Sequence, residues 1–291
     1  MNEIIITGST GVIGRRAIRE VLAAGYRVTG VTRSGGGRER IESLGARAVE
    51  ADVFDAESLR RAFEGQDAVV NLLTHVPSTD RMGDPSAWEE NDRLRTEASA
   101  VIARAAQAAG VARLVQESIA FVYADGGDAW LEEDAPVAGG GVATASLVAE
   151  RSVRELFDGD TVVLRFGLFI GPDSRSTLAA LEAARGGASL APGPPGAYRP
   201  TIWLDDAQAA IAAALRVPAG TYNVADTDPA TNTQIDAALA AAVGVEALRP
   251  RAPQDGPLAR SQRVSNRRLR EASGWAPRVR AATESWGRIA S

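Results

Sequence analysis

The chain has no lysine and no cysteine, and histidine occurs once, at His75. All 32 of its basic residues are therefore arginine. Without lysine, neither Schiff-base chemistry nor a lysine-assisted tyrosine is possible. The absence of cysteine removes thiol nucleophiles, disulfide redox and cysteine-ligated zinc. A single histidine rules out a multi-histidine metal site, so no metal is expected. No uninterrupted apolar run approaches the ~20 residues of a membrane helix, and no membrane partner is expected. The formal charge of −5 argues against nucleic acid, which favours a basic surface. The first residues enter "EIIIT" with no basic leader, so no export signal is read there. With the missing cysteines, this sets the expectation of a cytoplasmic protein.

What is present is a chain of 291 residues, 45 % of them hydrophobic, enough for one large domain or a domain with an appended lobe. "EIIITG" (3–8) is a short β-branched run that predicts a buried strand. "GVIGRRAIREVLAAG" follows at helical spacing and stops at Gly25. Further strands are expected at 26–33, 46–53, 67–73 and 112–118, with a helix capped by Asp55 and another across 87–109. Strands alternating with helices in this rhythm predict an α/β fold, a parallel sheet covered on both faces. Beyond residue 119 the pattern loosens into a helix over 144–157, a strand over 161–169 and a Gly/Pro-rich stretch over 186–200. The expected division is a dinucleotide-binding domain over 1–170, with a return segment near 201–225, and a smaller substrate-binding lobe over 171–291.

Gly8, Gly11 and Gly14 lie between the first strand and the first helix, with Thr10, Val12 and Ile13 between them. Their missing side chains permit a tight turn and let a pyrophosphate approach the helix N-terminus, whose free N–H groups favour anions. The second strand ends in Arg33 and Ser34, where a cofactor without a 2′-phosphate is usually held by an acid. An arginine there suits a 2′-phosphate, so NADP(H) is expected over NAD(H). Asp52 and Val53 are expected beside the adenine, and Leu73 and Thr74 on the cofactor's path past the fourth strand.

The segments "TGSTGVIG", "ADVFD", "RLVQESIAFVYAD", "LRFGLFIGP", "TIWLDDAQAAIAAAL" and "SNRRLREASGWAP" together resemble the extended or atypical short-chain dehydrogenases/reductases, the epimerase/dehydratase branch. The resemblance covers nearly all of the chain and implies a Rossmann-type, doubly wound parallel sheet. It also implies a Ser or Thr at the end of the fifth strand and a YxxxK pair on the next helix. There this chain departs from the pattern. In the register of YxxxKxxxE it reads "VATASLVAE", with Val142 for the tyrosine and Ser146 for the lysine. Ile119 falls in the serine slot, with Ser118 one residue early. The pair that would lower a tyrosine pKa and handle the proton is missing.

The candidates left for acid/base work are Tyr123, His75 and Ser118. Tyr123 follows the fifth strand, at the edge where open α/β sheets bind ligands. His75 follows the fourth strand, and imidazole is the side chain whose ordinary charge change suits proton transfer near neutrality. Tyr198, Asp80, Arg81, Glu117 and Asp205 are further candidates, while Tyr26 and Tyr222 fall on expected strands. The expected function is an NADP(H)-binding enzyme acting on a small molecule with a non-standard acid/base set, as monomer or homodimer. A non-redox dehydratase, isomerase or cyclase, and a non-catalytic dinucleotide-binding protein, are the alternatives.

Overall fold

The computed structural model describes residues 1–252 and 255–290. Seven strands form its central sheet: β1 (Glu3–Thr7), β2 (Arg27–Thr32), β3 (Arg47–Glu50), β4 (Ala68–Asn71), β5 (Arg113–Ile119), β6 (Asp160–Phe166) and β7 (Gly220–Val224). Their order is β7-β6-β5-β4-β1-β2-β3, and every neighbouring pair runs parallel. The direction of winding reverses between β1 and β4, the place where such sheets open a ligand crevice.

Strand side chains alternate between faces, and the core divides accordingly. Ile4, Ile6, Val70, Val115 and Leu164 pack with helix α1 (Val12–Ala23) and with the helix Leu204–Ala214. Ile5, Val69, Leu114 and Val163 pack on the other face with residues of the helices Ala56–Phe63, Ser99–Ala108 and Val142–Leu156. The α/β, doubly wound sheet expected from the sequence is therefore the one observed. A second, smaller core gathers Ile170, Leu181, Ile235, Leu239 and Trp286.

Three elements differ from the sequence expectation. Helix α2 (Gly35–Glu42) is not anticipated, because it begins with three glycines, the poorest helix formers after proline. The Ser34 hydroxyl caps it by accepting from the Gly37 N–H at 3.3 Å. The helix expected across 87–109 is interrupted by a π turn at Leu94–Ala98, which rotates Arg95 into the interior. The strand expected over 161–169 breaks at Gly167, where a Cβ would lie 2.9 Å from the Pro200 and Thr201 backbone. Leu168–Ile170 then pairs with Thr201–Trp203 instead.

Candidate functional site

A cavity of about 810 Å³ runs along the carboxyl edge of the sheet, from the end of β2 across β1 and β4 to β5 and β6. Its middle is the glycine turn. Gly8 has φ +73°, and a Cβ there would lie 2.5 Å from the Leu72 carbonyl oxygen, so only glycine fits. Thr10, Gly11, Val12 and Ile13 continue the wall and expose the N-terminus of α1, a seat for an anion. Gly14 lies beneath the turn, outside the wall. A Cβ there would come within 2.1 Å of the Gly8 carbonyl oxygen, so its role is packing the helix onto the turn.

At the β2 end the wall is formed by Arg33, Ser34, Gly36, Gly37 and Arg40, with Val53 opposite. Asp52, expected beside the adenine, lies outside the wall. Its carboxylate instead accepts from the Phe54 N–H at 2.9 Å, closing its own loop. Leu73, Thr74 and His75 line the cavity past β4. His75 is exposed, and its backbone N–H donates to Asn91 Oδ1 at 3.2 Å.

The far end is mostly apolar, walled by Ile119, Phe121, Val142, Phe169, Trp88 and Leu258. Val142 thus faces the cavity with a side chain that cannot ionise. Ser146 is fully buried, and its hydroxyl donates to the Val142 carbonyl at 2.9 Å.

Ser118 and Tyr123, two of the three acid/base candidates, are placed away from the cavity. Along β5, Glu117 and Ile119 line it, so the alternating Ser118 turns to the opposite side. Its hydroxyl donates to Glu150 at 2.6 Å. Tyr123 is fully buried, with its hydroxyl donating to Asn223 Oδ1 at 2.7 Å and the Arg165 guanidinium 4.9 Å from its ring centre. Burial pushes the phenol up to about 12, against the opposing pull of Arg165. A group so placed neither reaches a ligand nor ionises near neutrality, which corrects the expectation for both residues.

These two side chains belong to a buried polar layer that the sequence did not reveal. Arg165 donates twice to Glu150, at 2.8 and 2.9 Å, with both side chains almost wholly buried. Burial raises the Glu150 pKa, but the bonds and charge of Arg165 outweigh it and hold the carboxyl below its ordinary value. Arg165 and Glu150 lie fifteen residues apart on a strand and a helix, and nothing local links them.

Among the weaker candidates, Asp80 and Arg81 are exposed, with Arg81 paired to Asp84 at 2.7 Å. Asp205 pairs with Arg16. The Tyr198 ring sits beneath Arg263, outside the wall. Tyr222 is buried, and its hydroxyl donates to the Pro218 carbonyl at 2.9 Å. Glu117 alone of these lines the cavity, paired with Arg95 at 2.9 Å. The Gly/Pro-rich 186–200 stretch contributes nothing to the wall; Gly167–Phe169 and Ser174–Ser176 stand at that end.

A glycine turn at the end of β1, a crevice at the winding reversal and a cavity of this length define a Rossmann-type dinucleotide-binding protein. The chain belongs to the NAD(P)H-binding family, whose model matches residues 8–186. It is similar to the 3-diazoavenalumate denitrifying reductase of a Streptomyces species, 33% identical over 296 residues, 94% of this chain and 95% of that protein. The 2-alkyl-3-oxoalkanoate reductase of Shewanella oneidensis is 25% identical over 87% of this chain and 69% of its own length. Among solved structures, the UDP-glucose 4-epimerase of Thermus thermophilus in complex with NAD superposes with a TM-score of 0.79. It is 23% identical, and the match covers 99% of this chain and 97% of that one.

Proposed function

We propose that the protein is an NADPH-dependent reductase whose substrate accepts hydride without needing a proton, and that this substrate is a diazo compound that reacts as its diazonium form, R–N₂⁺, and loses dinitrogen. The observation that carries the reading is the contrast between the two ends of one cavity. The nucleotide turn has every glycine its geometry demands. The reacting end presents Val142, with Ser146 buried behind it and Tyr123 and Ser118 locked elsewhere. Carbonyl reduction leaves an alkoxide that must be protonated, which is the work of a positioned acid. A bound nicotinamide supplies hydride, and R–N₂⁺ + H⁻ gives R–H + N₂ with no proton entering. The similarity over nearly the full length to a denitrifying reductase of a diazo compound supports the same reading. Phe121, Phe169, Trp88 and Leu258 offer the substrate an apolar wall.

The preference for NADPH rests on the β2 end. Arg33 and Arg40 stand in the wall beside the glycine-rich start of α2, whose free N–H groups favour an anion. Arg33→Ala is expected to weaken NADPH by ~1.5–3 kcal/mol, the scale of a hydrogen bond to a charged group. NADH should bind nearly unchanged, and calorimetric titration of both checks it. Equal losses for the two cofactors would remove the 2′-phosphate from the role of Arg33.

His75 favours a second reading, because it is the one imidazole in the chain and it lines the cavity. For a carbonyl substrate it is the residue placed to supply the proton. The two readings separate on substrate. With 3-diazoavenalumate the first expects NADPH oxidation at 340 nm with one N₂ released per NADPH, and His75→Ala within a few-fold of wild type. Turnover confined to a 2-alkyl-3-oxoalkanoate, and lost in His75→Ala, would replace it with the second.

A further inference from the structure

Arg95 and Glu117 form an ion pair in the cavity wall that neither the turn nor the reacting end has used. Their side chains are only 4% and 6% exposed. Arg95 Nη2 donates to Glu117 Oε1 at 2.9 Å, while Arg95 Nη1 and Glu117 Oε2 have no partner among the described residues. A buried donor and acceptor left this way cost the fold stability unless something answers them. The group that answers must accept from a guanidinium and donate to a carboxylate, as the hydroxyls of a bound ligand do.

The sheet register locates the pair relative to the turn. Thr7, Asn71 and Gln116 lie in one row across β1, β4 and β5. Gly8, Leu72 and Glu117 follow one residue further on, and all three line the cavity. Glu117 therefore stands two strand spacings from the first glycine of the turn, about 10 Å. It lies on the side away from Arg33, which follows β2. A pyrophosphate seated on the turn sends one riboside toward β2 and the other toward β5. The torsion at the end of a glutamate side chain is broad, so Glu117 can present either oxygen to the cavity.

We propose that Glu117 and Arg95 hold the hydroxyls of the nicotinamide-side ribose and so fix the reacting half of the cofactor. The assignment rests on the reading of this cavity as the dinucleotide site. Glu117→Gln keeps the volume and removes the charged acceptor. Arg95→Lys keeps a cation for Glu117 and removes the forked donor.

The test is calorimetric titration of wild type and both variants with three probes. These are NADPH, 2′-phospho-ADP-ribose, which retains the second ribose but no nicotinamide, and 2′,5′-ADP, which has neither. The expected result is about a tenfold loss of affinity for the first two probes in each variant. 2′,5′-ADP should stay within twofold, which also shows that the variant is folded. NADPH binding unchanged in both variants would overturn the proposal. So would a loss confined to NADPH, which would put the pair against the nicotinamide, or an equal loss for all three probes. Wild-type protein that bound none of the probes would overturn the cofactor reading itself, and the proposal with it.

Discussion

Gly11→Val is expected to give a folded protein that binds no dinucleotide. Gly11 stands in the cavity wall at the head of α1. The nearest atom a Cβ there would meet is the Gly8 carbonyl oxygen, at 3.2 Å, a tight contact where Gly14 would meet a clash. The branches then occupy the space in which a pyrophosphate must meet the free N–H groups of the helix. Affinity for NADPH should fall at least a hundredfold while the unfolding midpoint moves little. Gly14→Ala should behave in the opposite way. Its Cβ would lie 2.1 Å from the Gly8 carbonyl oxygen, a backbone atom, and overpacking of that kind costs typically 1–3 kcal/mol and sometimes more. Titration and thermal melting of the two variants separate the residues. Normal binding by folded Gly11→Val would mean that the ligand sits elsewhere.

Arg165→Met is expected to destabilise the protein by about 3–5 kcal/mol, because it strands the buried Glu150 carboxylate. The neighbours left to Glu150 are the Ser118 hydroxyl and the half-exposed Arg154. Tyr123→Phe, in the same layer, should cost about 1–3 kcal/mol, because it leaves the buried Asn223 Oδ1 without its donor. Turnover should be unchanged in the folded fraction of either variant, since neither side chain lines the cavity. Denaturant melts paired with kinetics check both points. A hundredfold loss of turnover in Tyr123→Phe would return that residue to the chemistry.

The sheet and the nucleotide turn were legible in the sequence because both rest on local patterns. The β-branched runs of β1 and β4, and glycine at 8, 11 and 14, carry their meaning within a few residues. Helix α2 was hidden by glycines at 35–37, of which Gly37 fits closely against Thr32: a Cβ there would lie 1.9 Å from the Thr32 hydroxyl. Arg95 was hidden by the π turn, which changes the face a helical residue presents. The lost YxxxK register could be read directly, from Val142 and Ser146. What became of Tyr123 and Ser118 could not. Their burial depends on Asn223, 100 residues away, and on the Glu150–Arg165 pair. Glu117 was visible as a candidate only; its partner Arg95 lies 22 residues earlier, on an element whose rotation no local spacing reports.

The central claim is that hydride transfer here proceeds without a proton relay, and isotopic labelling of the reaction with 3-diazoavenalumate and NADPH tests it most directly. With NADPH deuterated at the transferred position, in ordinary water, the product should carry one deuterium on the carbon that lost dinitrogen. With unlabelled NADPH in D₂O it should carry none there, and the rate should stay flat from about pH 5 to 8, the range in which a histidine acid would titrate. Deuterium entering that carbon from D₂O, or a rate that falls across that pH range and becomes flat in His75→Ala, would contradict the account.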